Sequence, residues 1–316
     1  MDRSVIDMGQ RVITGKVAFS LPKKAVQSSS VAIVRFRPEK YVHYRVFDEV
    51  IEALAAGLRE HGMKTDVVFN RIDPERAVNI LIGAHILTDS SLASLPENAI
   101  IYNLEQISGA PGDPCSYRPA YSDALLSRRS WDYSLKNIAR LTDGSTNHHI
   151  EFVPIGYASC LSRLKKTDQD IDVLFYGSLN PRRRRIIDAL KEQGYNVHAV
   201  FGVYGEERDR LIERAKLVVN IHFYDSYILE AVRVSYLMAN SKAVVSECNS
   251  GTEVYPHLKD GLCLVPYEQI ADACAALLAD REKREALEQR ALRAVQQLAY
   301  ADIIKGTGLF PATVRS

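Results

Sequence analysis

Several groups of residues in this sequence have the types and spacing to do chemistry. Glu230 and Arg233 stand three positions apart in a run that is otherwise apolar, from Ile228 to Met238. Helical spacing puts them on one face, and two charges in a buried helix usually face something. There the carboxylate can accept hydroxyl hydrogen bonds, and the guanidinium fork can grip an oxyanion. The plainer alternative is an ion pair on a solvated face. His222, Tyr224, Asp225 and Ser226 follow the apolar run Leu217 to Ile221, and Glu247 follows Ala243-Val-Val-Ser. Polar residues just past buried strands lie where open α/β sheets bind ligands. His222 can donate to an oxyanion or be satisfied internally, and Ser226 can equally be a helix N-cap.

Gly177-Ser178 precedes Asn180-Pro181, an N-cap followed by a proline at the first helical position. Backbone amides at such a turn make an anion site with the helix N-terminus behind them. Of the run Arg182 to Arg185, Arg182 is placed to reach that anion; the others spread over every face and are solvated or could touch a membrane surface. Ser250-Gly251-Thr252 is either a second glycine-containing loop over the same site or an ordinary turn. In the first half, Glu105, His85 and His43 each follow an apolar run and compete as general bases, though any of them could be structural.

The elements that must position these residues alternate along the chain. Val31 to Phe36, Lys64 to Phe69, Val78 to Gly83 and Ala99 to Leu104 read as strands. Phe47, Ile51, Leu54 and Leu58 mark a helix that Gly62 ends. Tyr121 to Leu126 and Trp131 to Leu141 read as short helices, and His148 to Gly156 as a last strand. After a polar stretch the pattern restarts with strands at Asp172 to Gly177, Tyr195 to Val200, Leu217 to Ile221, Ala243 to Ser246 and Leu262 to Val265. Helices are expected from Pro181, over Glu206 to Ala215, Tyr227 to Ala239, Glu268 to Ala279 and Glu282 to Leu298. The fold class is therefore α/β, with two consecutive βα series. Residues 1–160 form the first domain, opening on an irregular arm over 1–30. Residues 161–171 are a linker, 172–300 the second domain, and 301–316 a tail that could pack back on the first domain.

Bulk properties narrow the classes. With 316 residues, 47% hydrophobic and 25% charged, the chain reads as an ordinary globular protein. A formal charge of +1 gives no electrostatic case for nucleic acid. Five cysteines without CxxC spacing argue against a zinc or disulfide framework and fit a reducing compartment. No run reaches membrane-span length and the N-terminus lacks a signal-peptide core, so a cytoplasmic protein is expected. A nicotinamide fingerprint, GxGxxG, is absent.

The segments Asp172 to Arg183, His222 to Glu247 and Ile270 to Leu298, which ends in LADREKREALEQRA, together resemble the donor domain of GT-B glycosyltransferases. The first half resembles that family only in general architecture. The resemblance implies two Rossmann-like domains facing across a cleft, with a nucleotide sugar as co-substrate and a saccharide or glycoconjugate acceptor. On it, Gly177, Ser178, Arg182, His222, Tyr224, Glu230, Arg233, Glu247, Gly251 and Thr252 are donor-binding candidates. Glu105 is the leading acceptor base, ahead of His85 and His43. Retaining members carry two glutamates eight positions apart; here Glu230 stands alone in its helix and the next is Glu247. Asp168-Gln-Asp170 spells the D-x-D metal motif of a different glycosyltransferase fold, but it precedes a strand and reads as solvated charge, so metal independence is expected. Surface polysaccharide or glycoconjugate synthesis is the implied setting, with peripheral contact to the inner membrane surface. A nucleotide-sugar epimerase or hydrolase, or a non-catalytic nucleotide-sugar-binding subunit, are the alternatives.

Overall fold

The computed structural model describes residues 18–19, 27–39, 42–107, 119–223 and 228–309. The chain forms two compact units, one of residues 1–44 and 63–153, the other of residues 45–62 and 154–316. Its first half contains β1 (Ala18–Phe19), β2 (Gln27–Arg35), α1 (Asp48–Glu60), β3 (Lys64–Phe69), β4 (Arg71–Ile72), β5 (Arg76–Ile82), α2 (Asp89–Ala93), β6 (Ala99–Asn103), α3 (Pro119–Ser127), β7 (Ser130–Asp132), α4 (Leu135–Thr142) and β8 (Ile150–Phe152). All of these but α1 lie in the first unit.

The main sheet of the first unit is parallel, in the order β3-β2-β5-β6-β7-β8; β1 and β4 form a separate parallel pair. Every residue of β6 is buried, which is why its sequence is a continuous apolar run rather than an alternation. One core cluster joins Val34, Leu81 and Ile101 on the strands to Leu92, Leu125 and Ile138 on α2, α3 and α4. Two sequence expectations change here. Gln27 to Ser30, assigned to an arm, are the start of β2; apart from Ala18–Phe19, residues 1–26 lie outside the described part. The helix expected from Trp131 gives way to β7, because Trp131 pairs in register between Tyr102 and Glu151 and its indole N–H donates to Glu151 at 2.8 Å. Ser134, whose hydroxyl caps the Asn137 N–H at 3.1 Å, starts α4 instead.

The second unit contains β9 (Ile171–Tyr176), α5 (Pro181–Glu192), β10 (Val197–Val200), α6 (Glu206–Arg214), β11 (Ala215–Asn220), α7 (Ala231–Ala239), β12 (Ala243–Glu247), β13 (Cys263–Val265), α8 (Ile270–Ala279), α9 (Arg281–Gln296) and α10 (Tyr300–Gly306). Its sheet is parallel in the order β10-β9-β11-β12-β13. Asn180 caps α5 by accepting the Arg183 N–H at 2.8 Å, with Pro181 in the first turn, as its sequence predicts. Helix α7 starts at Ala231 rather than Tyr227. Ile228 forms a β-bridge with Glu253 and the Leu229 N–H donates to the Glu253 carbonyl at 3.3 Å, so the backbone there is extended.

Helix α1 packs within the second unit although its sequence lies in the first half. Its Gly57 abuts α10 so closely that a Cβ would stand 2.9 Å from the Ala301 nitrogen. His61 Nε2 lies 2.7 Å from the Ala301 carbonyl oxygen. The buried Glu49 carboxylate accepts from Arg208 on α6 at 2.7 Å and from Arg163 at 3.4 Å. Thus the second unit takes in Arg45–Gly62 as well as the chain after Val153, whereas the sequence places a single division at residues 161–171.

Candidate functional site

In each sheet the chain winds outward in both directions from one strand, and ligands of open α/β sheets bind beyond the carboxyl ends at that switch point. In the second unit the strand is β9, flanked by β10 and β11. Strand β9 runs out into Gly177 and β11 into His222.

Gly177 adopts φ +144, and a Cβ there would lie 3.0 Å from Arg233 Nη2. Both the backbone conformation and the close approach call for glycine. Arg233, in the first turn of α7, donates from Nη1 to Asn220 Oδ1 at 3.0 Å and lies over the Tyr176 ring at 5.3 Å. Among the described residues no carboxylate forms an ion pair with it. Asn220, fully buried, donates from Nδ2 to Glu230 Oε2 at 2.9 Å and to Ser246 Oγ at 3.0 Å.

Glu230 stands just outside α7, at its N-cap, not within the helix. Besides Asn220 it accepts from Arg183 at 3.3 Å and faces His222 Nδ1 at 3.1 Å. Burial opposes its ionisation, but His222, Arg183 and Arg233 outweigh burial and hold its pKa at about 2. Burial likewise opposes protonation of His222, which is 4% exposed, yet the Glu230 carboxylate prevails and raises the imidazole pKa. His222 Nε2 is buried and has no hydrogen-bond partner among the described residues.

The remaining donor candidates are largely engaged with one another. Arg182 makes a fork to Glu247 at 2.6 and 2.5 Å and stacks on Tyr267 at 3.9 Å. The Glu247 carboxylate also accepts the His222 backbone N–H at 3.0 Å. At the turn, the Gly177 N–H donates to the Val200 carbonyl at 2.9 Å, and the Ser178 carbonyl accepts from Arg183. Thr252 and Gly251 close a turn onto Asn249, whose Oδ1 accepts the Gly251 N–H at 3.0 Å and the Thr252 hydroxyl at 3.2 Å. Tyr224 lies outside the described residues. In the D-x-D segment, Asp170 is held by a fork from Arg214 at 2.8 and 2.5 Å.

In the first unit the switch strand is β2, between β3 and β5. His85, on the short helix Ala84–Ile86 after β5, places Nε2 3.5 Å from Glu105 Oε1, just past β6. Two buried asparagines hold the Glu105 backbone: Asn103 Oδ1 accepts its N–H at 3.2 Å, and Asn137 donates to its carbonyl at 2.8 Å. Fully buried Asp132 orients both, accepting from Asn103 at 2.7 Å and from Asn137 at 3.0 Å. The Tyr121 hydroxyl donates to Asn103 Oδ1 at 3.0 Å; burial, then the charges of Asp132 and Glu105, raise its pKa well above the usual value. His43 lies on the short helix Val42–Phe47 after β2, where burial lowers its pKa.

No family model matches the sequence. Among curated proteins the chain is 31% identical over 196 residues to "Uncharacterized protein L140" of Acanthamoeba polyphaga mimivirus, a stretch covering 58% of this chain and 60% of that protein. It is 32% identical over 173 residues to "Uncharacterized protein L137" of the same virus, covering 51% of this chain and 22% of that protein. The chain thus spans less than two thirds of these relatives' length. Solved structures extend the comparison to both units. Anabaena Alr3699/HepE, solved with UDP-glucose, superposes with a TM-score of 0.56 at 14% identity, covering 87% of this chain and 96% of that one. AviGT4, a glycosyltransferase involved in avilamycin A biosynthesis, gives 0.55 at 14% identity, covering 87% and 94%. WaaG, a glycosyltransferase involved in lipopolysaccharide biosynthesis, gives 0.51 at 12%, covering 89% and 96%. The chain has a GT-B glycosyltransferase-like fold.

Within this GT-B-like chain, sequence reasoning passed over two residues that build the site. Arg183 is 3% exposed: it donates to the Ile221 carbonyl at 2.8 and 2.6 Å and lies over Phe175 and Phe223. The sequence did carry a signal, because Arg183 precedes Ile186 and Ile187 by three and four positions and so shares their core face. Asn220, which bridges Glu230 and Arg233, had only a weak one: a polar residue ending an apolar strand.

Proposed function

We propose that this chain is a glycosyltransferase whose second unit holds a nucleotide sugar by its diphosphate, with a saccharide or glycoconjugate as acceptor. One observation carries the reading: Arg233, without an ion-pair partner among the described residues, lies against Gly177 at the switch point, while neighbouring Arg182 and Arg183 are paired. A guanidinium so placed fits two oxygens of a diphosphate. His222, against Glu230, has an Nε2 without a hydrogen-bond partner among the described residues and a raised pKa, which favours the form that donates to an oxyanion. The presence of UDP-glucose in HepE, a protein of the same fold, supports a nucleotide-sugar donor.

In the proposed reaction an acceptor oxygen attacks the anomeric carbon and the bond to the phosphate oxygen breaks. The electron pair leaves on the diphosphate, where Arg233 and protonated His222 meet the developing charge. Within the first unit, Glu105 is assigned the acceptor proton, with His85 beside it and Asp132 fixing the asparagines that hold its backbone. These cations supply the leaving group's counter-charge, so the reaction is expected to run without a divalent metal; chelator should leave turnover intact. Surface polysaccharide or glycoconjugate synthesis in the cytoplasm, at the membrane surface, is the setting this reading favours.

The test is calorimetric. UDP, GDP, dTDP, ADP and CMP are titrated into the full chain, each alongside its nucleoside. One nucleoside diphosphate should bind and its nucleoside should bind at least about tenfold more weakly, since the Arg233 contact is to phosphate. Equal affinity for the nucleoside, or no binding by any nucleotide, contradicts the assignment.

A further inference from the structure

The carboxyl edge of the first unit carries a cluster that the donor site does not use. Strands β2 and β3 end side by side, with Arg35 in register with Phe69. Residues two apart on an extended strand share a side, so Arg35 and Arg37 emerge together. The Arg35 guanidinium lies 4.4 Å from the Tyr44 ring centroid and 5.5 Å from that of Phe69. Arg37 lies 5.8 and 5.5 Å from the same rings. Two like charges are thus held between two aromatic faces. No carboxylate pairs with Arg37 among the described residues, although Glu39 is two positions away.

The arrangement is built rather than incidental. Asn70, at φ +50, accepts the Arg37 N–H at 2.7 Å, donates to the Arg37 carbonyl at 2.9 Å, and sends its own N–H to the Arg35 carbonyl at 3.0 Å. Asparagine, the non-glycine residue that takes up the left-handed conformation most readily, therefore clamps the segment bearing both arginines. Phe69 is 47% exposed and Arg37 is exposed, so part of the ring and the guanidinium are both open to solvent. The position, beyond the carboxyl ends of β2 and β3 in a parallel sheet, is where such sheets take ligands.

We propose that Arg35, Arg37, Tyr44 and Phe69 form an acceptor subsite for an anionic saccharide, the guanidinium of Arg37 gripping a carboxylate or phosphate and Phe69 stacking on the sugar's CH face. The inference rests on the glycosyltransferase reading for the word acceptor, but not for the binding itself. The geometry serves a uronic acid and a sugar phosphate alike, because both offer an oxyanion on an apolar-faced ring.

The probes are glucuronic acid, glucose 6-phosphate and neutral glucose, titrated into the full chain by ligand-observed NMR, with Arg37→Ala, Phe69→Ala and Arg233→Ala as variants. At least one of the acidic sugars should bind, and which one identifies the anion. Glucose should bind about tenfold more weakly or not at all. Arg37→Ala should weaken the acid by about tenfold, Phe69→Ala should weaken it too, and Arg233→Ala should not. Nucleoside diphosphate binding should survive Arg37→Ala, so loss of the donor reading and loss of this one are separable. Glucose binding as tightly as the acids, no binding of either acid, or acid affinity unchanged in Arg37→Ala overturns the proposal.

Discussion

Glu230→Ala should destabilise the second unit by about 3–5 kcal/mol, the usual consequence of stripping one partner from a buried charge cluster. The carboxylate is the only one paired with Arg183 among the described residues, and it also faces His222. Its removal takes that carboxylate from a guanidinium that is 3% exposed and also donates to the Ile221 and Ser178 carbonyls. The same pair predicts a pH dependence whose sign differs at the two ends. Glu230 falls from 4.5 to about 2 on folding, so its contribution is present above 4.5 and is lost as pH falls towards 2. His222 rises above 6.5, so its contribution is present below 6.5 and is lost as pH rises through the raised value. Wild-type stability should therefore carry a plateau between these limits, and Glu230→Gln should flatten both flanks. Denaturant melts from pH 3 to 9 check this; flanks that persist in Glu230→Gln would show that other groups cause them.

Arg182→Ala should be costly for a similar reason, by about 3–5 kcal/mol, because Glu247 is 2% exposed and would keep, among the described residues, only the His222 backbone N–H as a donor. The second substitution should reverse much of the first. In Arg182→Met with Glu247→Gln, no uncompensated charge remains and the methionine can still cover Tyr267, so the double variant should be more stable than Arg182→Ala alone. If Arg182→Ala melts like the wild type, the fork to Glu247 is not holding the carboxyl ends of β11 and β12. Were Arg182 instead a diphosphate ligand, its substitution would depress nucleotide affinity at unchanged stability.

These outcomes bear on how much could be read from sequence. The second sheet was legible because its strands are continuous apolar runs of parallel type, and α5 because Asn180-Pro181 is a local capping signal. The limits of α7 and β7 were not, because tertiary partners set them: Glu253 holds Ile228 extended, and Tyr102 with Glu151 draws Trp131 into a strand. The place of α1 escaped for the same reason. Its amphipathic pattern says that it packs, but the contacts of Gly57 with α10 and of Glu49 with Arg208 decide where. At the site, sequence located the polar strand ends correctly but could not say which charges neutralise one another. Arg182 and Glu247 were both candidates for ligand contact, and the structure joins them in a fork. That Arg233 has no ion pair among the described residues emerges only once Arg182 and Arg183 are matched to their carboxylates.

The most direct test is therefore a calorimetric titration of UDP into wild type and Arg233→Ala, with thermal melts run alongside. Two charge-assisted hydrogen bonds at about 1.5 kcal/mol each put the expected loss near 3 kcal/mol, roughly a hundredfold in Kd. Stability should fall by about 1–3 kcal/mol, because the buried Asn220 Oδ1 loses its donor and Glu230 loses a neighbouring cation, so the titrations are compared at a temperature where the melts show both proteins folded. UDP binding that is equally tight in the two proteins would contradict a diphosphate held by Arg233 at the switch point of the second sheet.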